Sequence, residues 1–124
     1  MEELARQCHA RFGATGAYIE DKGSGTILLQ QARRRGLPAD PIDSQLVALG
    51  KDARAVSVSG YVHRGEVKIS GPAYDRTLIY NETSRNHLLG QVVGYRVGID
   101  NREDDLLDAF CYGIACALGD AKGF

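Results

Sequence analysis

The chain has 124 residues, 44% of them hydrophobic and 25% charged, and a formal net charge of −1. These values are typical of one globular domain, expected here over residues 1–124, and they exclude disorder as a description of the whole chain. No apolar run approaches the ~18 residues of a membrane span, and the charged N-terminal segment is not a secretory signal. We therefore expect a cytoplasmic protein without a membrane partner. The lack of a basic excess implies that any nucleic-acid surface is local.

The cysteines are three in number and lie at positions 8, 111 and 116. The spacing of Cys111 and Cys116 is not the CxxC spacing of zinc ribbons or redox sites. Both lie in an apolar stretch, where cysteine behaves as a small hydrophobic residue. We expect both to be buried structural thiols.

The first half of the chain has the pattern of a βαβ unit that follows a short helix. An amphipathic helix is predicted over residues 2–12 and a buried strand over 16–20. A second helix is predicted over 26–35, with Gly36 as its stop, and a second strand over 39–43. Two strands joined through a helix are expected to run parallel with a right-handed crossover.

The second half is predicted to be mainly helical. Helices are expected over residues 51–63 and 103–118, and a short edge strand over 65–70, with residues 71–83 irregular. The segment 86–97 fits either a helix or a strand. The histidines, at positions 9, 63 and 87, are expected to lie on the surface.

Acidic residues occur in two groups. Glu20 and Asp21 follow the first predicted strand, at the strand end where ligands and catalytic residues collect in open α/β sheets. Asp104, Asp105 and Asp108 lie in the first turn of the last predicted helix. Two interpretations of this turn fit: carboxylate ligands for Mg²⁺ or Mn²⁺, or acids that cap the helix and complement its dipole.

Basic residues are also candidates for a role. Lys51 and Arg54, and the run Arg33 to Arg35, have the chemistry to contact phosphate, although a solvated basic surface also explains them. The segment around Gly23 lacks the lysine and the spacing of a phosphate-binding loop, and no GxGxxG motif follows a strand. Nucleotide hydrolysis by this chain is therefore not expected.

The order of motifs resembles the C-terminal nuclease domain of the large terminase subunit of tailed phages and prophages. The matching segments cover about residues 17–118 and are Tyr18–Gly25, Leu28 with Leu29, Arg35 with Gly36, Lys51 with Arg54, Gly65 before Val67, and Asp104–Ala109. The resemblance implies a ribonuclease-H-like α/β fold, here partial, with a mixed sheet flanked by helices. It also implies a metal-dependent endonuclease that cuts double-stranded phage DNA during genome packaging.

The resemblance also implies roles for individual residues. Glu20, Asp105 and Asp108 match catalytic metal-binding acids, with Asp21 and Asp104 as neighbouring ligands, and their carboxylates are expected to converge in one cleft. Lys51 and Arg54 match basic positions near the active site, for which we predict DNA contact. The cofactor would be Mg²⁺ or Mn²⁺ in a two-metal site.

This sequence departs from the family at its N-terminal end. The family's nuclease domain begins with a strand hairpin that carries another aspartate, whereas residues 1–19 contain no aspartate. We therefore expect a metal site that lacks one ligand and weak or absent cutting by the chain alone. A truncated prophage gene, or a chain covering only part of the domain, would explain the difference.

Two classes of function remain open. The chain is either a nuclease domain or a catalytically inactive remnant that serves as an interaction module. Within a full-length protein, its partners would include other terminase or portal components. A sheet without its central hairpin exposes a strand edge, which predicts pairing between copies of the chain.

Overall fold

The computed structural model describes residues 2–80, 82–99 and 104–119. The chain divides into two compact units, Met1–Ala48 and Leu49–Phe124, which are described separately below. The expectation of a single domain stays a prediction. None of the helices in the described part of the chain is long and apolar enough to cross a membrane.

The first unit contains the βαβ arrangement. Its elements are α1 (Glu2–Phe12), β1 (Ala17–Ile19), α2 (Ser24–Arg34), β2 (Ala39–Pro41) and α3 (Ser44–Ala48). Strands β1 and β2 pair in parallel, with Ala17 opposite Ala39, and α2 packs against both strands. The predicted parallel pair and its connecting helix are therefore confirmed, with strands shorter than expected.

The core of this unit lies between α2 and the segment that follows β2. Leu29 and Ala32 of α2 are buried, as are Ile42 and Leu46. Tyr18, at the centre of β1, is 64% exposed, so the prediction of a buried first strand is wrong. A two-stranded sheet covered by one helix buries few of its own side chains. The buried residue of this region is instead Ile42, which directly follows β2.

Helix α2 ends as its sequence predicts. Gly36 has φ 67°. Its amide donates to the carbonyl of Arg33, and the amide of Leu37 donates to the carbonyl of Ala32. These two bonds form a Schellman motif, which satisfies carbonyls that the helix end would leave unpaired.

The second unit is mainly helical. Its elements are α4 (Lys51–His63), α5 (Gly71–Asp75), β3 (Leu78–Tyr80), β4 (Thr83–Arg85), α6 (His87–Gly94) and α7 (Asp105–Leu118). Helix α7 packs against α4 and α6, and its buried residues include Leu107, Cys111 and Ile114. The helix alternative for the segment 86–97 is therefore the correct one over residues 87–94.

The edge strand predicted over 65–70 is wrong. Gly65 has φ 75° and ends α4 with a second Schellman motif. Its amide donates to the carbonyl of Val62, and the amide of Glu66 donates to that of Tyr61. The chain then runs without strand pairing to Ser70, whose side chain accepts from the Ala73 amide and caps α5.

The prediction that residues 71–83 are irregular is also wrong. They contain α5 and β3, and β3 pairs antiparallel with β4, with Leu78 opposite Arg85. Parallel and antiparallel pairs thus both occur, but they form two separate two-stranded sheets in the described residues. The mixed sheet that we expected is not formed there.

Two single residues also differ from expectation. His87 is buried rather than on the surface, and Cys116 is exposed rather than buried. Arg85 Nε donates to His87 Nδ1, so the hydrogen of the neutral ring lies on Nε2, next to the carbonyls of Leu78 and Thr83. His87 therefore ties β3 and β4 to the start of α6. Cys116 lies on the opposite side of α7 from the buried Cys111.

Candidate metal and nucleic-acid site

The first acidic pair lies in the tight turn between β1 and α2. Glu20 is half-buried and Asp21 is exposed. Asp21 Oδ1 accepts a hydrogen bond of 2.7 Å from Thr26 Oγ1 in the first turn of α2. The carbonyl of Glu20 accepts from the amide of Lys22. A backbone bond at Glu20 and a side-chain bond at Asp21 thus hold the two acids beside the end of β1.

Gly25 allows this turn to close. A Cβ atom built on Gly25 would overlap the carbonyl oxygen of Glu20, which is backbone and cannot move aside alone. The Gly25 amide meanwhile donates to the carbonyl of Lys22. Any side chain at this position would therefore push Glu20 and α2 apart.

The second acidic group opens α7, and ion pairs from α4 hold two of its members. Lys51 Nζ pairs with Asp104 Oδ2. Arg54 Nη2 lies 3.2 Å from Asp108 Oδ1. The cations lie three residues apart on α4, and the acids lie four residues apart, from the residue that precedes α7 into its first turn, so the two helices pair along one face.

Arg54 is fixed from several directions. Arg54 is only 6% exposed, and its Nη1 donates a hydrogen bond of 3.0 Å to the carbonyl of Leu49. The guanidinium also lies over the ring of Tyr112, 4.7 Å from the ring centre. Such a stacked and paired arginine is a rigid support for Asp108.

The remaining acid of this turn, Asp105, is held by a residue that the sequence patterns did not single out. Gln91 of α6 donates from Nε2 to Asp105 Oδ1 at 3.2 Å. Its Oε1 accepts from the amides of Leu106 and Leu107, at 2.8 and 3.0 Å. The sequence does contain one signal for this contact, because Gln91 is a polar residue between the apolar residues of α6.

Asp52 is a second residue of this region that no sequence pattern singles out. It accepts from the Tyr95 hydroxyl and, at 3.1 Å, from the amide of Gly98. The hydrogen bond to Asp52, with burial and the negative charge of that carboxylate, raises the pKa of Tyr95 to about 12. The first turn of α4 thus contacts both α7 and the segment after α6.

The chemistry of the α7 acids fits a hard divalent cation. Carboxylate oxygens are the ligands that Mg²⁺ and Mn²⁺ prefer. Among the described residues, each of Asp104, Asp105 and Asp108 makes a side-chain contact through one carboxylate oxygen. However, within the described ranges no three His, Cys, Asp or Glu side chains are gathered closely enough to hold a metal ion.

The sequence-predicted residues thus fall into two sets. Glu20 and Asp21 belong to the first unit, and the three α7 acids belong to the second together with Lys51 and Arg54. The structure brings the two basic residues into contact with Asp104 and Asp108. The convergence of Glu20 with the α7 acids stays a prediction.

The family comparison agrees with the motif resemblance. The model of the terminase RNaseH-like domain family matches residues 1–116, and the chain belongs to this family. No curated protein and no solved structure matches the chain significantly.

Proposed function

We propose that this chain is the nuclease domain of a terminase large subunit, a metal-dependent endonuclease that cuts double-stranded phage DNA during genome packaging. The observation that carries the proposal is the acidic first turn of α7, in a member of a terminase nuclease-like family. Two ion pairs and one amide contact orient one oxygen of each of its carboxylates. Such preorganisation suits a site that must position its ligands closely.

In this proposal the metal ligands are Glu20, Asp105 and Asp108, with Asp21 and Asp104 beside them. Bound Mg²⁺ or Mn²⁺ would stabilise the attacking and leaving oxygens of the phosphodiester. Arg54 holds Asp108 in place, since its buried guanidinium already has protein contacts. Lys51, with a side chain 54% exposed, is the better candidate for a phosphate contact.

The proposed partners and location follow from the reaction. The substrate is double-stranded DNA in the cytoplasm of a bacterial host. Other terminase or portal components would contact the domain within a full-length protein. Self-pairing through the edge of the β1–β2 sheet belongs to the same proposal.

A second function has one observation in its favour. Because no three candidate ligands are gathered in the described residues, the chain also fits an inactive remnant that serves as an interaction module. In that case the ion pairs of Lys51 and Arg54 would serve only to pack α4 against α7.

Metal binding separates the two functions. We expect Mn²⁺ to bind the protein, as measured by the loss of the free-ion signal in electron paramagnetic resonance. Asp105→Asn should weaken binding at least about tenfold, because it removes an anionic ligand. Any metal-dependent nicking of supercoiled plasmid should disappear with it.

Asp75→Asn is the matched control, since Asp75 is an exposed aspartate of α5 in the same unit. It should leave Mn²⁺ binding and nicking unchanged. Absence of Mn²⁺ binding by the unaltered protein would support the interaction module, and binding unaffected by Asp105→Asn would reject the residue assignment.

A further inference from the structure

Three consecutive arginines, Arg33 to Arg35, lie at the end of α2, and all three are exposed. The metal site proposed for this chain does not include them. Since the formal net charge is −1, any attraction for a polyanion has to be local. We infer that this arginine surface binds the phosphate backbone of double-stranded DNA. The inference takes from the proposed function only the identity of the polyanion.

The arginine side chains are not needed to complete the helix. Basic residues in a last turn often hydrogen-bond the final carbonyls, which have no partner within the helix. At this end of α2, the carbonyls of Gln31, Ala32 and Arg33 accept from backbone amides of the residues that follow. The guanidinium groups are therefore left for a contact outside the helix.

Acidic side chains do not neutralise this surface. Within the part of the chain that the structure describes, the side chains of Arg33 and Arg34 form no ion pair or hydrogen bond. Asp40 is the acid nearest to them in sequence, and it pairs in register with the exposed Tyr18. Asp40 thus lies on the face of the sheet that α2 does not cover.

The arrangement of the arginines suits an extended polyanion better than a single small anion. Successive residues of a helix are about 100° apart around its axis. Because Leu29 and Ala32 face the core, Arg34 lies on the opposite side of α2, with Arg33 to one side of it. The two guanidinium groups therefore diverge. Each can form two parallel hydrogen bonds to a different phosphate, and duplex DNA carries one charge per about 1.7 Å of its axis.

The surface is also far enough from the first acidic pair to keep its attraction. Glu20 and Asp21 lie before the start of α2, whereas the arginines lie at its end. The 11 residues of α2 span about 16 Å, which exceeds the screening length of about 10 Å at 0.1 M salt. The same 16 Å corresponds to about five base pairs of DNA.

The salt dependence of DNA binding tests the inference. A fluorescent duplex of about 20 base pairs is titrated with the protein in EDTA, at about 50 to 200 mM salt, and followed by anisotropy. Replacing both residues, Arg33→Gln with Arg34→Gln, should lower the slope of log K against log salt by about 2. Near 0.1 M salt, binding should weaken roughly tenfold for each arginine removed.

Two matched pairs of substitutions serve as controls. Lys68→Gln with Arg76→Gln removes the same charge from two exposed positions of the second unit, and it should leave the slope unchanged. Arg33→Lys with Arg34→Lys keeps the charge of the surface. It should keep the slope as well, because the slope counts the phosphate charges that are neutralised.

Three results would overturn the inference. The first is a slope that the glutamine pair at positions 33 and 34 leaves unchanged or that both glutamine pairs lower equally, which would leave an acidic protein as the partner of this surface. The second is a lower slope in the lysine pair, whose charge is unaltered. The third is failure of the unaltered protein to bind the duplex even at the lowest salt.

Failure of the proposed nuclease function would look different. Because EDTA removes divalent ions, this measurement depends on neither Mn²⁺ binding nor nicking, and Asp105→Asn should not lower the slope. DNA binding that depends on Arg33 and Arg34, in a protein that binds no Mn²⁺, would support the inference and reject the metal-dependent nuclease.

Discussion

Asp52 shows how one carboxylate can fix a segment that has no regular structure. It accepts from the hydroxyl of Tyr95 and from the amide of Gly98, both of which follow α6. A hydrogen bond to a carboxylate is stronger than one between neutral groups. Because the bond requires the protonated phenol, the pKa of Tyr95 rises to about 12 from an ordinary value of 10.0.

This contact predicts a specific dependence of stability on pH. The phenol binds its proton more tightly in the folded protein, so its contribution to stability is complete below pH 10. It is lost as the pH rises from 10 to about 12. Tyr95→Phe should lower the free energy of unfolding by about 1 kcal/mol at pH 7 and flatten the alkaline loss, as measured by urea titration.

Tyr74→Phe provides the comparison, because Tyr74 is 63% exposed. The Tyr74→Phe protein should lose as much stability between pH 10 and about 12 as the unaltered protein does. An equal loss in the Tyr95→Phe protein would show that another group is responsible.

At the scale of single elements, the turn between β1 and α2 depends on one glycine. Gly25→Ala should destabilise the protein by about 2–3 kcal/mol, because the added methyl group would overlap the carbonyl of Glu20. The shift in the urea midpoint measures this loss. The first unit, which contains Glu20 and Asp21, should be the part that opens first.

Gly113→Ala is the matched substitution within α7. A Cβ atom there has open space around it, and alanine favours a helix by about 1 kcal/mol over glycine. We therefore expect a small stabilisation. Equal effects of the two substitutions would contradict the close approach at Gly25.

Helices with regular apolar spacing and a glycine stop could be predicted from the sequence. Helix α2 and its stop at Gly36 are an example, because the pattern and the end signal are both local. The strand expected after Gly65 was wrong because alternation over six residues is weaker than a Schellman motif that turns the chain out of α4. The hairpin of β3 and β4 was missed because both strands have only three residues.

The candidate site could be predicted in its residue types but not in its contacts. Asp104, Asp105 and Asp108 form a pattern on one helix, and Lys51 and Arg54 a pattern on another. Which acid meets which cation depends on how α4 packs on α7, and that is tertiary structure. The matching spacings of three and four residues were a signal for this pairing.

At the scale of the whole molecule, the cysteines report on both units. Cys8 lies in the first unit and is half-exposed, whereas Cys111 and the exposed Cys116 lie in the second. Burial, followed by the negative charge of Asp108, raises the pKa of the Cys111 thiol to about 11, although Arg54 acts in the opposite direction. The thiolate that reacts with disulfide reagents is therefore scarce at this position.

We expect Cys116 and Cys8 to react with an aromatic disulfide reagent in the native protein at pH 8, while Cys111 stays unmodified. Cys111 should react only at urea concentrations that unfold the second unit. Mass spectrometry of peptides identifies the modified position, and Cys116→Ser removes the fast reaction in that unit. Rapid native labelling of Cys111 would contradict its burial against α4.

The pairing of α4 with α7 has an electrostatic consequence for a polyanion that approaches. Lys51 and Arg54 act as counterions built into the fold, and they offset the charges of Asp104 and Asp108. Without them, three carboxylates in one turn would repel a phosphate backbone. With them, Asp104 and Asp108 face cations and Asp105 faces a neutral amide among the described residues, so a polyanion would meet less repulsion at this turn. The repulsion between this turn and a polyanion would then depend only weakly on the salt concentration.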